Sequence, residues 1–185
     1  MQRALILIGD FLAGSLDLCM GALIASATLS TLGVEVLPWH LAVGAVLAVL
    51  PDFDIIPAIL TNQKGIEDHH TTLMHRPLFL IPAAALVAYA LGGSAWELVA
   101  ILCVGWHFLH DTPPLSPGGI AWLWPFDKRF VSVFGTHEPA RGSLTHDQWI
   151  KAFWLRPTAR SVSEISVGIA ALVLAVAIAI ASQTS

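Results

Sequence analysis

Five of the eight histidines fall in two short stretches that also hold four aspartates. The first stretch opens as Leu50-Pro51-Asp52-Phe53-Asp54 and resumes as Asp68-His69-His70-Thr71-Thr72-Leu73-Met74-His75-Arg76. The second is His107-Phe108-Leu109-His110-Asp111, followed by a Pro- and Gly-rich run through Gly119. Imidazole nitrogen and carboxylate oxygen together suit zinc, and with more oxygen they suit manganese or iron. Residues three and four apart share a helical face, so His107, His110 and Asp111 project from one side of a helix near its end. His70 and His75 are five apart and converge only if a turn or a helix start lies between them. Asp52 and Asp54 aim at one point from a turning backbone, which Pro51 and Pro57 favour. Taken singly, an aspartate after proline is ordinarily a cap or turn residue. By the same standard His40, His137 and His146 read as solvated loop histidines. Glu97 and Glu164, near helix starts, read as complements to the helix dipole. The concentration of His and Asp in two places is what packing does not explain.

These groups must be positioned by apolar elements. Hydrophobic residues make up 56% of the 185 positions and charged residues 12%, about half the charge of a soluble domain. In water, such a chain would expose large apolar patches. The length is that of one domain, 1–185. A bilayer-crossing helix needs roughly 20 mostly apolar residues. Segments 77–93, 95–111 and 162–182 pass cleanly. Segment 4–32 is apolar but carries Asp10 and Asp17, which either mark function inside the membrane or show that its helix begins later; segment 37–51 is short. The expectation is an all-α integral membrane protein with five transmembrane helices. With the N-terminus inside, all nine Lys and Arg residues fall in 1–3, 52–76 and 112–161, as positive charge on the cytoplasmic side requires. Both His/Asp stretches then emerge at the cytoplasmic face, and the C-terminus lies outside.

Segment 112–161 reads as an interfacial lid or platform. Trp122, Trp124, Phe126, Phe130, Trp149, Phe153 and Trp154 supply an aromatic belt, and its basic residues suit anionic headgroups. Ser143 is placed to cap a short helix with Leu144, Trp149, Phe153 and Trp154 on its apolar face. Cys19 and Cys103 lie in apolar stretches and read as small buried hydrophobes. No basic stripe tracks phosphates, which excludes nucleic acid as a partner. No P-loop, G-x-S-x-G elbow, H-E-x-x-H helix or CxxC pair is present.

The order Leu50-Pro-Asp-x-Asp54, His70-x-x-x-x-His75, His107-x-x-x-Asp111, a Pro-Gly turn and Trp124-Pro125-Phe126 resembles the YdjM-like family over roughly residues 17–127. Its members are bacterial inner-membrane proteins described as metal-dependent hydrolases and linked to zinc-dependent phospholipase C. The resemblance implies that Asp52, Asp54, His70, His75, His107 and Asp111 are metal-binding positions, with zinc the first expectation. The family's Arg after the first His and Ser after the second are replaced here by Thr71 and Arg76, a departure that bears on substrate choice. The expected chemistry is hydrolysis of a phosphoester in a lipid or lipid-linked substrate, because a held metal activates water and polarises a phosphoryl oxygen. Asp68 or His110 is then the general base or the group that orients a ligand, and Arg76 neutralises a phosphate oxygen. Two other classes stay open: a transporter of metal ions or protons, and a non-catalytic membrane scaffold tied by metal.

Overall fold

The computed structural model describes residues 2–61, 70–112, 119–132, 135–137 and 144–184. They form an all-helical body with one short hairpin. Helices α1 (Gln2–Thr31) and α2 (Pro38–Ala48) lead into a 3-10 turn (Leu50–Ile55) and α3 (Ile56–Thr61). A second 3-10 turn (Leu73–His75) precedes α4 (Pro77–Gly92) and α5 (Ser94–Asp111). Strands β1 (Phe130–Ser132) and β2 (Gly135–His137) pair antiparallel, and α6 (His146–Phe153) and α7 (Ala159–Ser182) close the chain.

Among the described residues, two helices have the length and apolarity to cross a bilayer: Arg3–Thr31 and Ala159–Ser182. A third crossing arises if α2 and the Leu50–Thr61 segment, bent by 59° at their junction, count as one span. Helix α4, at 16 residues, is shorter than the roughly 20 a straight crossing needs. The five-span expectation is therefore carried by length in two to three places. Large apolar side chains such as Phe11, Leu86, Leu91 and Val173 face outward, the surface a lipid environment accepts and water does not.

Asp10 and Asp17 do not mark a late start of the first helix, because α1 is continuous from Gln2. It packs against α7, α2 and α5. Gly21 and Gly44 let α1 and α2 touch backbone to backbone: a Cβ at Gly21 would fall 2.3 Å from the Gly44 carbonyl oxygen. Small residues are how membrane helices achieve such approach. Gly21→Val is expected to lower the thermal midpoint in detergent, in proportion to an overpacking cost of about 1–3 kcal/mol. A wild-type midpoint would show that the α1–α2 contact contributes nothing.

The same helices sort the loops into two ends. At one end, Val36 N–H donates to Ser182 Oγ at 3.0 Å and Gln183 Nε2 donates to the Val36 carbonyl at 3.2 Å. Trp39 and Trp96 stack there with centroids 5.4 Å apart. His40 is buried and its Nδ1 accepts the Leu37 N–H at 3.0 Å; it caps α2 and is not a solvated loop residue. At the other end lie the turn after α2, the start of α4, the end of α5, and α6.

Candidate metal centre

Local sequence dictates how the four central side chains are presented. A 3-10 turn, Leu50–Ile55, follows α2 in place of a further α-turn; Pro51 is its second residue, where a missing N–H leaves no helical bond unmade, and Asp52 follows at once. Arg76, before Pro77, is held extended as a residue preceding proline must be. That breaks the chain between His75 and α4 and turns His75 inward, where it is fully buried. His107 and Asp111 stand one helical turn apart at the end of α5.

One ligand atom each from Asp52, His75, His107 and Asp111 lies within 4.8 Å of all the others. His107 Nε2 is 3.0 Å from Asp111 Oδ2 and 3.5 Å from Asp52 Oδ1. His75 Nε2 is 3.4 Å from Asp52 Oδ1 and 3.7 Å from Asp111 Oδ2. Four N and O ligands about 2.0–2.2 Å from a tetrahedral metal stand about 3.4 Å from one another. The observed edges bracket that value. Among the described residues, His107 Nε2 and Asp111 Oδ2 are buried with no hydrogen-bond partner. Buried polar atoms are costly in that state, and a cation at their common focus satisfies both. The donor set of two imidazoles and two carboxylates therefore fits a divalent metal.

The remaining expected residues sit around this focus. Asp54 Oδ2 is 3.1 Å from His75 Nδ1 and accepts from Thr72 Oγ1. It lies behind the imidazole and orients it, rather than joining the four converging atoms. His70 stacks on His75 with centroids 4.9 Å apart, its Nε2 3.5 Å from Asp111 Oδ2; the 3-10 turn supplies the bend that a five-residue spacing demands. Burial opposes charging of His75, but hydrogen bonding to Asp52 and Asp54 and attraction from Asp52 and Asp111 outweigh it and raise its pKa.

His110, although on the expected face, turns to α1: its Nδ1 is 3.1 Å from both oxygens of Asp17. Arg76 donates from Nη2 to the Thr71 carbonyl at 2.6 Å. Its guanidinium lies 5.8 Å from the Trp124 ring centroid and 5.4 Å from that of Phe130, a clamp on the segment before β1. Asp68 and the side chain of His137 lie outside the described residues, as does Ser143. The cap of α6 is Thr145, which exchanges hydrogen bonds with Gln148.

A cavity of about 340 Å³ opens beside the cluster. Asp52, His70 and Asp111 form one wall, and α1 contributes Asp10 and Asp17. Ile56 and Ile59 of α3 and Trp149 and Phe153 of α6 make the rest largely apolar, and Arg160 also lines it. Arg160 is held by Glu164 at 2.6 Å. His146 also lines this space, buried against Asp10 at 2.7 Å, and so is not solvated.

The run of aspartate, histidine and aspartate positions along the chain now has both an order and a common focus. The sequence profile of the YdjM inner membrane protein family matches residues 16–184. The chain belongs to that family. The YdjM match takes in all four converging residues, and it begins one position before Asp17. No curated protein and no solved structure matches the chain. Sequence reasoning missed Asp17, Arg160 and the Asp10–His146 pair as parts of this region. Charge inside an apolar helix was the signal for the aspartates, but their partners stand up to 136 residues away.

Proposed function

We propose that the protein is a membrane-bound metal-dependent hydrolase acting on a phosphoester of a lipid or lipid-linked substrate. The observation that carries this reading is the convergence of Asp52, His75, His107 and Asp111 beside a cavity with both apolar and charged walls. Five crossings of the bacterial inner membrane, with this end cytoplasmic, account for the sorting of loops and for the nine basic residues. A divalent metal there, zinc before manganese or iron, would polarise a phosphoryl oxygen and acidify a coordinated water.

The chain's own groups supply the rest. Arg160, pinned by Glu164, meets the oxyanion of the phosphoester with a planar pair of donors. Arg76 is committed to Thr71, Trp124 and Phe130, so Arg160 takes the anion-neutralising role first expected of it. His70, at the edge of the cluster, is placed to carry a proton to or from the reacting group. Ile56, Ile59, Trp149 and Phe153 cover the apolar part of the substrate and keep bulk water out. The test is release of phosphorylated headgroup or inorganic phosphate from lipid phosphoesters in mixed micelles. Turnover by wild type that disappears in Asp52→Asn supports the reading; no turnover of any phosphoester lipid by metal-loaded protein defeats it. Arg160→Gln is expected to raise KM about tenfold or more, the loss of a charge-assisted hydrogen bond of about 1.5–3 kcal/mol. An unchanged KM would remove Arg160 from substrate binding.

A second reading draws on the acidic and histidine side chains of Asp17, His110 and Glu164 packed between α1, α5 and α7, the arrangement of an ion or proton path. Metal or proton flux in proteoliposomes, without phosphate release, would favour it.

A further inference from the structure

Asp17 is nearly fully buried in α1, a helix long and apolar enough to cross the bilayer. An ionisable group in that position is expensive, and its retention asks for a reason. Three side chains of α5 converge on it. Trp106 Nε1 donates at 2.8 Å, His110 Nδ1 stands 3.1 Å away, and His107 Nδ1 is 3.5 Å from Oδ2. Trp106 and His110 are one turn apart and stacked, and the carboxylate keeps its bonds to His110 whether or not Trp106 donates.

The opposite nitrogen of His107 is the one that faces the cluster, 3.0 Å from Asp111 and 3.5 Å from Asp52. His75 is arranged alike. Its Nε2 faces the cluster, and its Nδ1 is 3.1 Å from Asp54. Each converging histidine therefore has a carboxylate at its back, one from a turn nearby in sequence and one from a helix 90 residues away.

We propose that Asp17 is a positioning residue of the metal centre, fixing the proton of His107 on Nδ1 so that the Nε2 lone pair meets the cation. The 3.5 Å contact is electrostatic and not a made hydrogen bond; because an ionised carboxylate only accepts hydrogen bonds, it favours the tautomer with the hydrogen on the nitrogen that faces it. A neutral imidazole then has its lone pair on the other nitrogen. The carboxylate also makes that nitrogen more basic, which strengthens its bond to a metal. Because Asp17 is on α1 and His107 on α5, the arrangement makes metal binding depend on how these two helices pack. The inference rests on the metal reading above.

The test compares zinc affinity, by competition with a chromophoric chelator, in full-length detergent-solubilised wild type, Asp17→Asn and Trp106→Phe. Asparagine keeps the volume and an acceptor for Trp106 but loses the charge. D17N is expected to bind zinc 10–100-fold more weakly, with circular dichroism and a cooperative melt of the metal-free protein showing that the variant is folded. W106F disturbs packing but leaves the carboxylate facing His107, and is expected to stay within about threefold of wild type, well short of that loss. Wild-type affinity in D17N overturns the proposal. So does a loss in W106F equal to that in D17N, which would make the group a packing anchor. A second measurement needs no variant: in ¹⁵N-histidine-labelled, zinc-loaded wild type, His107 should carry hydrogen on Nδ1 and metal on Nε2, and the reverse assignment overturns the proposal. Wild type that takes up no metal withdraws the metal reading itself, an outcome distinct from failure of D17N to differ.

Discussion

Full-length protein carrying His107→Ala together with Asp111→Ala is expected to leave detergent purification without bound metal, whereas wild type retains about one ion per chain at a four-donor site. The expectation follows from the geometry of the cluster. These two side chains approach most closely of the measured pairs, at 3.0 Å, and they share one turn of α5. Removing them halves the donor set and leaves only Asp52 and His75, 3.4 Å apart, at the focus. Loss of a partner behind a ligand already weakens binding 10–100-fold, so loss of two ligands exceeds that. Polarisation by the metal is worth several kcal/mol in the transition state. At 1.36 kcal/mol per tenfold, hydrolysis should fall by about a thousandfold or more. Elemental analysis of the purified proteins measures the first effect and headgroup release the second.

The same variant separates metal binding from folding. Chelation of wild type should lower the thermal midpoint, because a ligand at a hundred times its dissociation constant stabilises by about 2.7 kcal/mol. The double variant should lose that response to chelator while remaining monodisperse. Equal metal content in the two proteins would place the ion elsewhere, and the focus of Asp52, His75, His107 and Asp111 would lose its meaning. A wild type that is folded, free of metal and unable to take any up would turn attention to the buried His and Asp side chains as a proton path.

What the sequence made legible was whatever periodicity and local spacing encode. The stretches 77–93, 95–111 and 162–182 correspond within a few residues to Pro77–Gly92, Ser94–Asp111 and Ala159–Ser182, because long apolar runs ended by Gly, Pro and polar residues leave little choice. The pairing of His107 with Asp111 was legible for the same reason. Long-range pairing was not. Asp10 and Asp17 interrupt an apolar run, and that pattern alone equally well marks a helix that starts later. They are tolerated because His146, Trp106 and His110 meet them from distant parts of the chain. Likewise Asp54 had every local feature of a ligand. Only the direction in which the turn at Leu50–Ile55 faces decides that it backs His75. Arg76 was expected at a phosphate; its guanidinium instead donates to the Thr71 carbonyl and lies against the Trp124 and Phe130 rings, contacts that local spacing does not encode. Arg160, 84 positions further on, is the arginine that lines the cavity.

The second large effect is expected at α6. His146→Ala should destabilise the protein by about 2 kcal/mol and weaken substrate binding without changing metal content. His146 is buried and its Nε2 meets Asp10 Oδ1 at 2.7 Å, joining α6 to α1 across the cavity. The joint is otherwise apolar, made by Ile6, Ile150 and Trp154, and a Cβ on Gly9 would fall only 2.2 Å from Ile150 Cγ2. Truncating His146 leaves the Asp10 carboxylate without its partner in an apolar surround. Such a loss costs about 1–3 kcal/mol for a hydrogen-bonded group and more for a fully buried ion pair. Asp10 is only partly buried, which keeps the effect near the lower figure. Replacing both partners by Leu removes the unpaired charge and should restore most of the stability. Substrate affinity should stay reduced in that double variant, because the polar pair also lines the cavity. A thermal-melt cycle of the two single variants and the double variant, read beside KM, measures both. Additive single effects would mean that the pair does not couple α6 to α1. An unchanged KM throughout would make α6 a membrane-surface anchor with no part in holding substrate.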